Sequence, residues 1–132
     1  MEIRQTRIVL KARSFDRTRH FYERVMGFPR LSLWEGDDGR RALLEAGTAV
    51  VEVRGRSRRA EASGRDEAFD YQGPDHKLTL EIVVPSAQAA YEELLFRDRN
   101  IPGGLRHDES GALLFGTNDP DGVKIVFREE PA

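Results

Sequence analysis

The chain has 132 residues and no cysteine, so disulfide bonds, thiol catalysis and cysteine metal sites are excluded. Charged residues make up 33% and hydrophobic residues 39% of the sequence, which is typical of a globular domain and not of a disordered or membrane-embedded chain. The formal net charge of −2 gives no bulk attraction for nucleic acid. No apolar run approaches the roughly 20 residues of a membrane-spanning helix, and the N-terminus lacks a signal-peptide apolar segment. We therefore predict a cytoplasmic protein with neither a membrane nor a nucleic-acid partner.

The first half of the chain reads as one strand, one helix and three more strands. TRIVLKA is the predicted first strand, and the helix is predicted over about residues 16–26, with Asp16 as its N-cap and Gly27 after its last turn. The three following strands, PRLSLWEG, RRALLEAG and TAVVEVRG, are separated by hairpin turns. Residues 55–77 are polar and broken by Gly and Pro, which is typical of a linker.

The second half repeats this order of elements. LTLEIVV is a predicted strand, SAQAAYEELLFRD a helix with Ser86 as its cap, and GALLFGT and GVKIVFRE two closing strands. The stretch from Ile101 to Arg106 is a candidate for one further strand. We expect a single domain, 1–132, made of module one at about 4–54, a linker at 55–77 and module two at about 78–130.

Short matching segments also favour a repeat. RRALLEAGTAVVEV resembles SGALLFGTNDPDGVKIVF in order and spacing. In this overlay Ala42-Leu43-Leu44 falls on Ala112-Leu113-Leu114, and Glu52 falls on Val126. The overlay predicts that the two halves are copies of one structural module.

Two motifs resemble those of the vicinal oxygen chelate superfamily, which includes glyoxalases, extradiol dioxygenases and bleomycin-resistance proteins. RIVLKARSFDRTRHFYERVMGFP is similar to the opening strand and helix of the superfamily, with the aromatic pair Phe21-Tyr22 and the exit Met26-Gly27-Phe28. NDPDGVKIVF is similar to the closing turn and strand. The resemblance implies an α+β fold of paired βαβββ modules, with mixed sheets curled around a cleft, and a homodimer.

The resemblance also implies four cleft-facing strand positions at which metal-dependent members bind a divalent ion. Carried over to this sequence, they fall on Arg7, Glu52, Thr79 and Val126. Arginine does not deprotonate and valine has no donor atom, so Glu52 is the one suitable metal ligand. The three histidines are expected at the surface: His20, His76 and His107. We therefore predict no bound metal and no cofactor.

Without a metal, the predicted cleft is described by its charges and its shape. Strand alternation puts Arg7, Val9 and Lys11 on one face, and Trp34 lies in the second strand, where an aromatic ligand would stack on it. Packing of Trp34 under a loop or across a dimer contact is the alternative. The predicted cleft residues are Arg7, Val9, Lys11, Trp34, Glu52, Thr79, Glu81, Lys124 and Val126.

Two classes of function compete. The first is a metal-independent binding protein of the bleomycin-resistance type, holding a planar or partly anionic small molecule in the cleft. The second is an enzyme of the superfamily, either metal-dependent through unexpected ligands or using Glu52 or Glu81 to carry a proton. A regulatory dimer without a ligand is a third possibility. Because three of the four expected ligand positions are unsuitable, the sequence favours the first class and leaves catalysis undecided.

One contact is expected to replace the metal. Arg7 and Glu52 lie at positions that the superfamily directs toward the same point, so we predict an ion pair between them. The alternative is that Arg7 turns to solvent while Glu52 pairs with Arg54 or Arg41.

Overall fold

The computed structural model describes residues 2–64, 78–97 and 101–131. The chain divides into two compact units, Met1–Gln72 and Gly73–Ala132. In the described residues, each unit holds one four-stranded sheet in which parallel and antiparallel pairing are mixed. No helix in these ranges is long and apolar enough to cross a membrane.

The first unit is one βαβββ module followed by a short helix. Its elements in chain order are β1 (Arg7–Lys11), α1 (Phe15–His20), the π-helical turn Phe21–Val25, β2 (Arg30–Gly36), β3 (Gly39–Ala46), β4 (Ala49–Gly55) and α2 (Arg58–Ala62). β4 lies between β1 and β3, parallel to the former and antiparallel to the latter, and β2 forms the edge beside β3. This order leaves β1 and β2 as the two edge strands of the sheet.

Alternation along the strands gives the first sheet an apolar face, and α1 packs against β4. The buried apolar residues of the strands and the helical segment form one core: Leu10, Phe15, Phe21, Tyr22, Ala42, Leu44, Val51 and Val53. Gly27 adopts a φ of 77°, which favours glycine, and the Phe28 N–H donates to the Tyr22 carbonyl at 3.0 Å to end the helical segment. The opposite face of the sheet carries Arg7, Val9 and Lys11, as predicted.

The start of α1 differs from the prediction that Asp16 is its N-cap. Ser14 occupies the N-cap position but makes no side-chain capping bond, and Asp16 lies inside the first turn. The Phe15 N–H donates instead to the Glu61 carboxylate of α2 at 3.1 Å. A contact distant in sequence therefore satisfies a helix-end donor that local capping leaves open.

The second unit repeats the βαβββ order. Its elements in chain order are β5 (Thr79–Val84), α3 (Ala87–Phe96), β6 (Arg106–His107), β7 (Leu113–Asn118) and β8 (Lys124–Glu129). β8 lies between β5 and β7, parallel to β5 and antiparallel to β7, and β6 forms the edge beside β7. The candidate strand near residues 101–106 is thus the short β6, whose pairing begins at Arg106.

Local capping and aromatic packing stabilise the second unit. The Ser86 hydroxyl accepts the Ala89 N–H at 3.1 Å, so Ser86 is the N-cap of α3, as predicted. The rings of Phe115 and Phe127 stack at 4.7 Å in the core between α3 and the sheet. The NDPDG turn is held by the Asp119 carboxylate, which accepts the N–H groups of residues 121 and 123 at 2.8 and 2.9 Å.

The predicted α+β fold of two βαβββ modules is confirmed, but one part of the sequence overlay is wrong. Leu43 lies opposite Glu52 on β4, whereas Gly116 lies opposite Val126 on β8. The overlay had placed Leu43 on Leu113, so the matching Ala-Leu-Leu letters are not structurally equivalent. The repeat lies in the strand topology, which depends on apolar alternation and not on particular letters.

The predicted linker is not uniformly irregular. Within residues 55–77, Gly55 ends β4, and α2 begins three residues later in the same polar stretch. The Ser57 hydroxyl caps α2 by accepting the Ala60 N–H at 3.1 Å. Residues 65–77 of the predicted linker, which include His76, lie outside the described residues. The single-domain organisation stays a prediction.

Candidate ligand-binding site

Glu52 is the central charged residue on the polar face of the first sheet. β4 places it between Val9 of β1 and Leu43 of β3, and its side chain is only 3% exposed. The carboxylate accepts the Arg7 Nη1 at 3.4 Å and the Arg54 Nε at 2.8 Å, with a further bond from the Arg54 Nη2. Two guanidinium groups therefore cover one buried carboxylate. The predicted Arg7–Glu52 pair is present, and so is the alternative pair with Arg54.

These residues do not fit a chelated divalent metal. Both Glu52 oxygens are engaged by guanidinium groups, and a metal cation would have to displace them against charge repulsion. Of the other expected positions, Arg7 and Val126 offer no ligand atom, and Thr79 offers only an uncharged hydroxyl. Across residues 2–64, 78–97 and 101–131 there is no cluster of three or more His, Asp or Glu side chains arranged to hold a metal ion.

Trp34 lies at the edge of the same sheet face, directly opposite Arg41 in the β2–β3 hairpin. The Arg41 guanidinium stacks over the indole ring with its Cζ 5.1 Å from the ring centroid, and the Trp34 residue is 46% exposed. A Cβ added at Gly36 would meet the far end of the indole at 2.6 Å, so this glycine leaves the space that the ring occupies. Both Trp34 and Arg41 keep exposed surface for a further contact.

A cavity of about 500 Å³ opens beside Trp34. Its walls include Arg41 and Arg54 from the polar face, and Asp37 and Asp38 from the hairpin turn. Among the described residues, the Arg41 guanidinium forms no hydrogen bond and no ion pair, and it stacks on the Trp34 ring. The cavity thus combines an aromatic surface with a guanidinium that pairs with no carboxylate of the described residues, although Asp37 and Asp38 lie in the same walls.

Arg40 lines both this cavity and a second one of about 530 Å³ near α2. Its side chain is 2% exposed, and it donates to the Glu61 carboxylate at 2.7 Å and to the Arg56 carbonyl at 2.8 Å. The guanidinium also lies 4.8 Å from the Phe15 ring centroid. Arg40 therefore fixes α2 against the sheet, which is a structural role.

The arginine charges around Arg40 are balanced by carboxylates, and Asp16 is one of them. Burial raises the pKa of its carboxyl, but the Arg19 hydrogen bond and the charges of Arg40 and Arg58 outweigh burial, so the pKa is lowered overall. Arg58 joins the same network by pairing with Asp16 at 3.2 Å and with Glu35 at 2.9 Å. The second cavity is therefore lined by arginines that already have carboxylate partners, with Arg59 as an additional wall residue.

The remaining predicted cleft residues lie together on one face of the second sheet. Thr79 pairs with Lys124, and Glu81 pairs with Val126, across the parallel β5–β8 ladder. The Glu81 carboxylate accepts the Arg128 Nε at 2.5 Å. The nine predicted residues thus form two sets of neighbours, one on each sheet, and a shared cleft stays a prediction.

Arg128 and Asp108 form a second charge cluster that the sequence did not reveal. The Arg128 Nη1 donates to Asp108 at 2.6 Å, and Asp108 also accepts the Ser110 hydroxyl and the N–H groups of Ser110 and Ala112. The Ser110 hydrogen bond, followed by the one from Arg128, lowers the pKa of the Asp108 carboxyl. The Glu81 and Asp108 hydrogen bonds correspondingly raise the pKa of Arg128. The cluster fixes the loop that precedes β7.

Arg41, Arg54 and Gly36 were not among the predicted site residues. The signal for Arg41 was present in the hairpin, because counting back from the Gly36–Gly39 pair places residue 41 opposite Trp34. Arg54 lies two residues beyond Glu52 on the same strand, so alternation places both on one face. Gly36 carried no comparable signal, since its role depends on the side-chain orientation of Trp34.

The comparisons with known proteins agree with this architecture. The sequence profile of the Glyoxalase/Bleomycin resistance protein/Dioxygenase superfamily matches residues 4–127. The chain belongs to this superfamily. The predicted family is thereby confirmed, while a metal-free subtype of the superfamily is a separate question. No curated protein matches the chain.

Solved structures of similar length share the fold at low sequence identity. TioX from Micromonospora sp. ML1 is 18% identical, with a TM-score of 0.72 over 97% of this chain and 99% of that one. A glyoxalase family protein from Enterococcus faecalis is 18% identical, with a TM-score of 0.69 over 97% of each chain. Lactoylglutathione lyase from Agrobacterium tumefaciens is 13% identical, with a TM-score of 0.67 over 94% of this chain and 91% of that one. At these identities the likeness shows the fold alone.

Proposed function

We propose that the chain is a metal-independent binding protein for a small, planar and partly anionic molecule. The proposed site is the cavity beside Trp34 on the polar face of the first sheet. The observation that carries the proposal is the Arg41 guanidinium, which stacks on Trp34 at 5.1 Å and forms no ion pair among the described residues. A planar anion would add ring stacking and a charge-assisted hydrogen bond at the same place.

The charge cluster at Glu52 supports binding without a metal. In a metal-dependent site, carboxylates converge and leave coordination positions open for the substrate. Here the Glu52 carboxylate is closed by Arg7 and Arg54, and the cavity beside Trp34 is lined by four arginines and two aspartates. Such a surface attracts an anionic ligand directly, which is the role that a metal would otherwise have.

Trp34 provides the test, because it is the only tryptophan in the chain. We expect 4-nitrobenzoate, a planar anion that quenches indole emission, to quench Trp34 fluorescence saturably. The neutral 4-nitrobenzyl alcohol should bind about fivefold more weakly, since it lacks the ion pair. Titrations corrected for absorbance measure both dissociation constants. Linear, collisional quenching of equal strength by both compounds would overturn the proposal.

Two variants and one control locate the effect. Arg41→Gln should remove the preference for the anion, and Gly36→Ala should weaken both compounds because the new methyl group displaces the indole. Arg24→Gln removes an exposed arginine of the π-helical turn and should leave both titrations unchanged. An unchanged preference in Arg41→Gln would exclude Arg41 as the anion-binding group.

Metal independence has its own measurement. Elemental analysis of protein purified without an affinity tag should show far less than one transition-metal ion per chain. About one Ni, Zn, Fe or Mn per chain, lost in Glu52→Ala, would refute this part of the proposal.

The single domain, the homodimer and the cytoplasmic location expected from the sequence are proposals of the same kind. They rest on the superfamily resemblance and on composition. Light scattering should give twice the 15.0 kDa chain mass at micromolar concentration. A mass of one chain would remove the homodimer from the proposal.

A further inference from the structure

The cavity beside Trp34 is lined by charges of both signs, and most of its arginines are already engaged within the protein. Three of its four arginines donate to other groups: Arg40 to Glu61 at 2.7 Å, Arg54 to Glu52 at 2.8 Å and Arg56 to the Arg13 carbonyl at 3.3 Å. Arg41 is the fourth, and its guanidinium has no hydrogen bond or ion pair among the described residues. Arg41 is therefore the cation of these walls that a ligand can reach without displacing a partner.

The carboxylates in the walls belong to Asp37 and Asp38, which form the tip of the β2–β3 hairpin. Both residues are exposed, and neither carboxylate has a hydrogen bond or an ion pair within the part of the chain that the structure describes. The cavity thus offers one guanidinium and two carboxylates to an outside partner. A ligand that carried negative groups alone would bring like charge to the two carboxylates.

The indole ring of Trp34 extends from Arg41 toward this turn. The Arg41 guanidinium stacks over its face, with Cζ 5.1 Å from the ring centroid. The far end of the ring lies over Gly36, the residue before the turn, since a Cβ there would be 2.6 Å from the indole Cη2. Asp38 is three residues from Arg41 along the hairpin, which is about 10 Å in an extended chain. A single aromatic ring with a charged group at each end can span this separation when the two side chains reach toward it.

We propose that the site takes a zwitterion, a planar aromatic ring with a carboxylate at one end and a protonated amine at the other. Arg41 would bind the carboxylate, and Asp37 and Asp38 would bind the amine. This inference rests on the proposed function and adds a positive group to its planar, partly anionic ligand. Stacking on the exposed indole surface would hold the ring. The charged ends would set its direction, because a reversed ligand brings like charges together.

Four para-substituted benzenes test the proposal, because they share one ring and differ in charge. 4-(Aminomethyl)benzoate is the zwitterion, 4-methylbenzoate the anion, 4-methylbenzylamine the cation and 4-methylbenzyl alcohol the neutral compound. Calorimetry gives the dissociation constants, and the indole N–H signal in NMR spectra locates binding, since Trp34 is the only tryptophan. At low salt and neutral pH, the zwitterion should bind about threefold to fivefold more tightly than either singly charged compound. An affinity no higher than that of 4-methylbenzoate or of 4-methylbenzylamine would overturn the inference.

A fifth compound tests the aromatic part of the proposal. trans-4-(Aminomethyl)cyclohexanecarboxylate carries the same two charges on a ring that is not planar. It should bind more weakly than 4-(aminomethyl)benzoate, because it cannot stack on the indole. Equal affinity of the two zwitterions would refute the aromatic ring as part of the ligand class.

Variants assign the two ends of the ligand. Asp37→Asn combined with Asp38→Asn keeps residues that suit a turn and should remove the advantage of 4-(aminomethyl)benzoate over 4-methylbenzoate. Arg41→Gln should remove its advantage over 4-methylbenzylamine. Glu45→Gln is the matched control, because Glu45 is an exposed residue of β3 that does not line the cavity, and it should leave every affinity unchanged.

The single variant Asp38→Asn keeps the test decisive if the double variant does not fold, since it should reduce the same advantage. An advantage retained in full without these carboxylates, or lost equally in Glu45→Gln, would refute the turn as the binding site of the amine.

The failure of this inference is distinguishable from the failure of the proposed function. If 4-nitrobenzoate quenches Trp34 saturably and the amine adds no affinity, the zwitterion is wrong and the proposed function stands. If neither 4-nitrobenzoate nor 4-(aminomethyl)benzoate binds saturably, both are wrong.

Discussion

The two sheets of this protein have the same topology and opposite charge clusters. In the first, one carboxylate, Glu52, lies between two arginines; in the second, one arginine, Arg128, lies between the carboxylates of Glu81 and Asp108. Arg54 and Arg128 lie at equivalent places, each two residues beyond the position of Glu52 or Val126 on its strand. The βαβββ fold therefore accepts either arrangement of charge at this position.

The clusters also differ in burial, and this difference indicates different roles. The Glu52 side chain is 3% exposed, whereas those of Glu81 and Asp108 are 49% and 28% exposed. The first cluster is a buried anion beneath an excess of cations, which suits the binding of an anionic ligand. The second uses Arg128 to fix the loop before β7. Only the first can be broken so as to leave a buried charge without a partner.

The largest expected effect therefore comes from removing both arginines of the first cluster. Arg7→Ala with Arg54→Ala strands the buried Glu52 carboxylate and should cost about 3–5 kcal/mol in the free energy of unfolding. Each single substitution should cost less than about 1 kcal/mol, because the other arginine remains and both arginine side chains are nearly half exposed. A double-mutant cycle by urea unfolding measures the coupling, with Arg17→Ala and Arg24→Ala as a control pair. If the costs of the two single substitutions add up to the cost of the double substitution within about 0.5 kcal/mol, Arg7 and Arg54 do not share Glu52 as a partner.

Removing the central residue of the second cluster should have a smaller effect. In Arg128→Ala the carboxylates of Glu81 and Asp108 can turn to water, because both are partly exposed. We expect a lower urea midpoint than in the wild type, but a higher one than in the double variant of the first cluster. Hydrogen exchange should show faster amide exchange at Ser110 and Ala112, whose N–H groups donate to Asp108. Protection as strong as in the wild type would show that Arg128 does not fix the loop.

The pH dependence of stability should report on the second cluster. The hydrogen bonds from Ser110 and Arg128 lower the pKa of Asp108 from its ordinary value of 3.8. The ionised carboxylate is therefore more stable in the folded protein than in the unfolded chain. The resulting stability is present above the ordinary value and is lost as the pH falls below it toward the folded-state pKa. The difference in urea midpoint between wild type and Asp108→Asn should therefore shrink as the pH falls from neutral to acidic.

A matched control separates Asp108 from the other carboxyl groups. Asp38→Asn changes an exposed aspartate in the β2–β3 turn and should give a curve parallel to that of the wild type. A constant difference between wild type and Asp108→Asn across the acidic range would show that Asp108 is not the titrating group.

The sequence predicted most of the fold because apolar alternation and turn residues specify it. The two modules, the polar face of β1 and the Ser86 cap all followed from such local patterns. α2 did not, since a helix of five residues is too short to form by propensity and depends on pairs such as Arg40–Glu61.

The site could be predicted only where the superfamily resemblance supplied the pairing between strands. Arg7 and Glu52 were paired through the superfamily resemblance, and the structure contains that contact. Arg41 and Asp108 were missed because their roles depend on cross-strand register and on a loop folding back. Charged residues carry no periodic signal that fixes such partners, so their contacts appear only in the folded chain.

The smallest expected effect comes from comparing the helices that follow the first strand of each module. Ser86→Ala removes the hydroxyl that accepts the Ala89 N–H and should cost about 1 kcal/mol. Ser14→Ala is the equivalent change in the first module, where the serine makes no capping bond, and should stay within about 0.5 kcal/mol of the wild type. Urea unfolding of both variants measures the difference. In each module a glutamate also accepts the first N–H of the helix, Glu61 at Phe15 and Glu129 at Ala87, so this contact is common to both and cancels in the comparison. Equal costs for the two serines would mean that the Ser86 hydroxyl adds nothing beyond that shared contact.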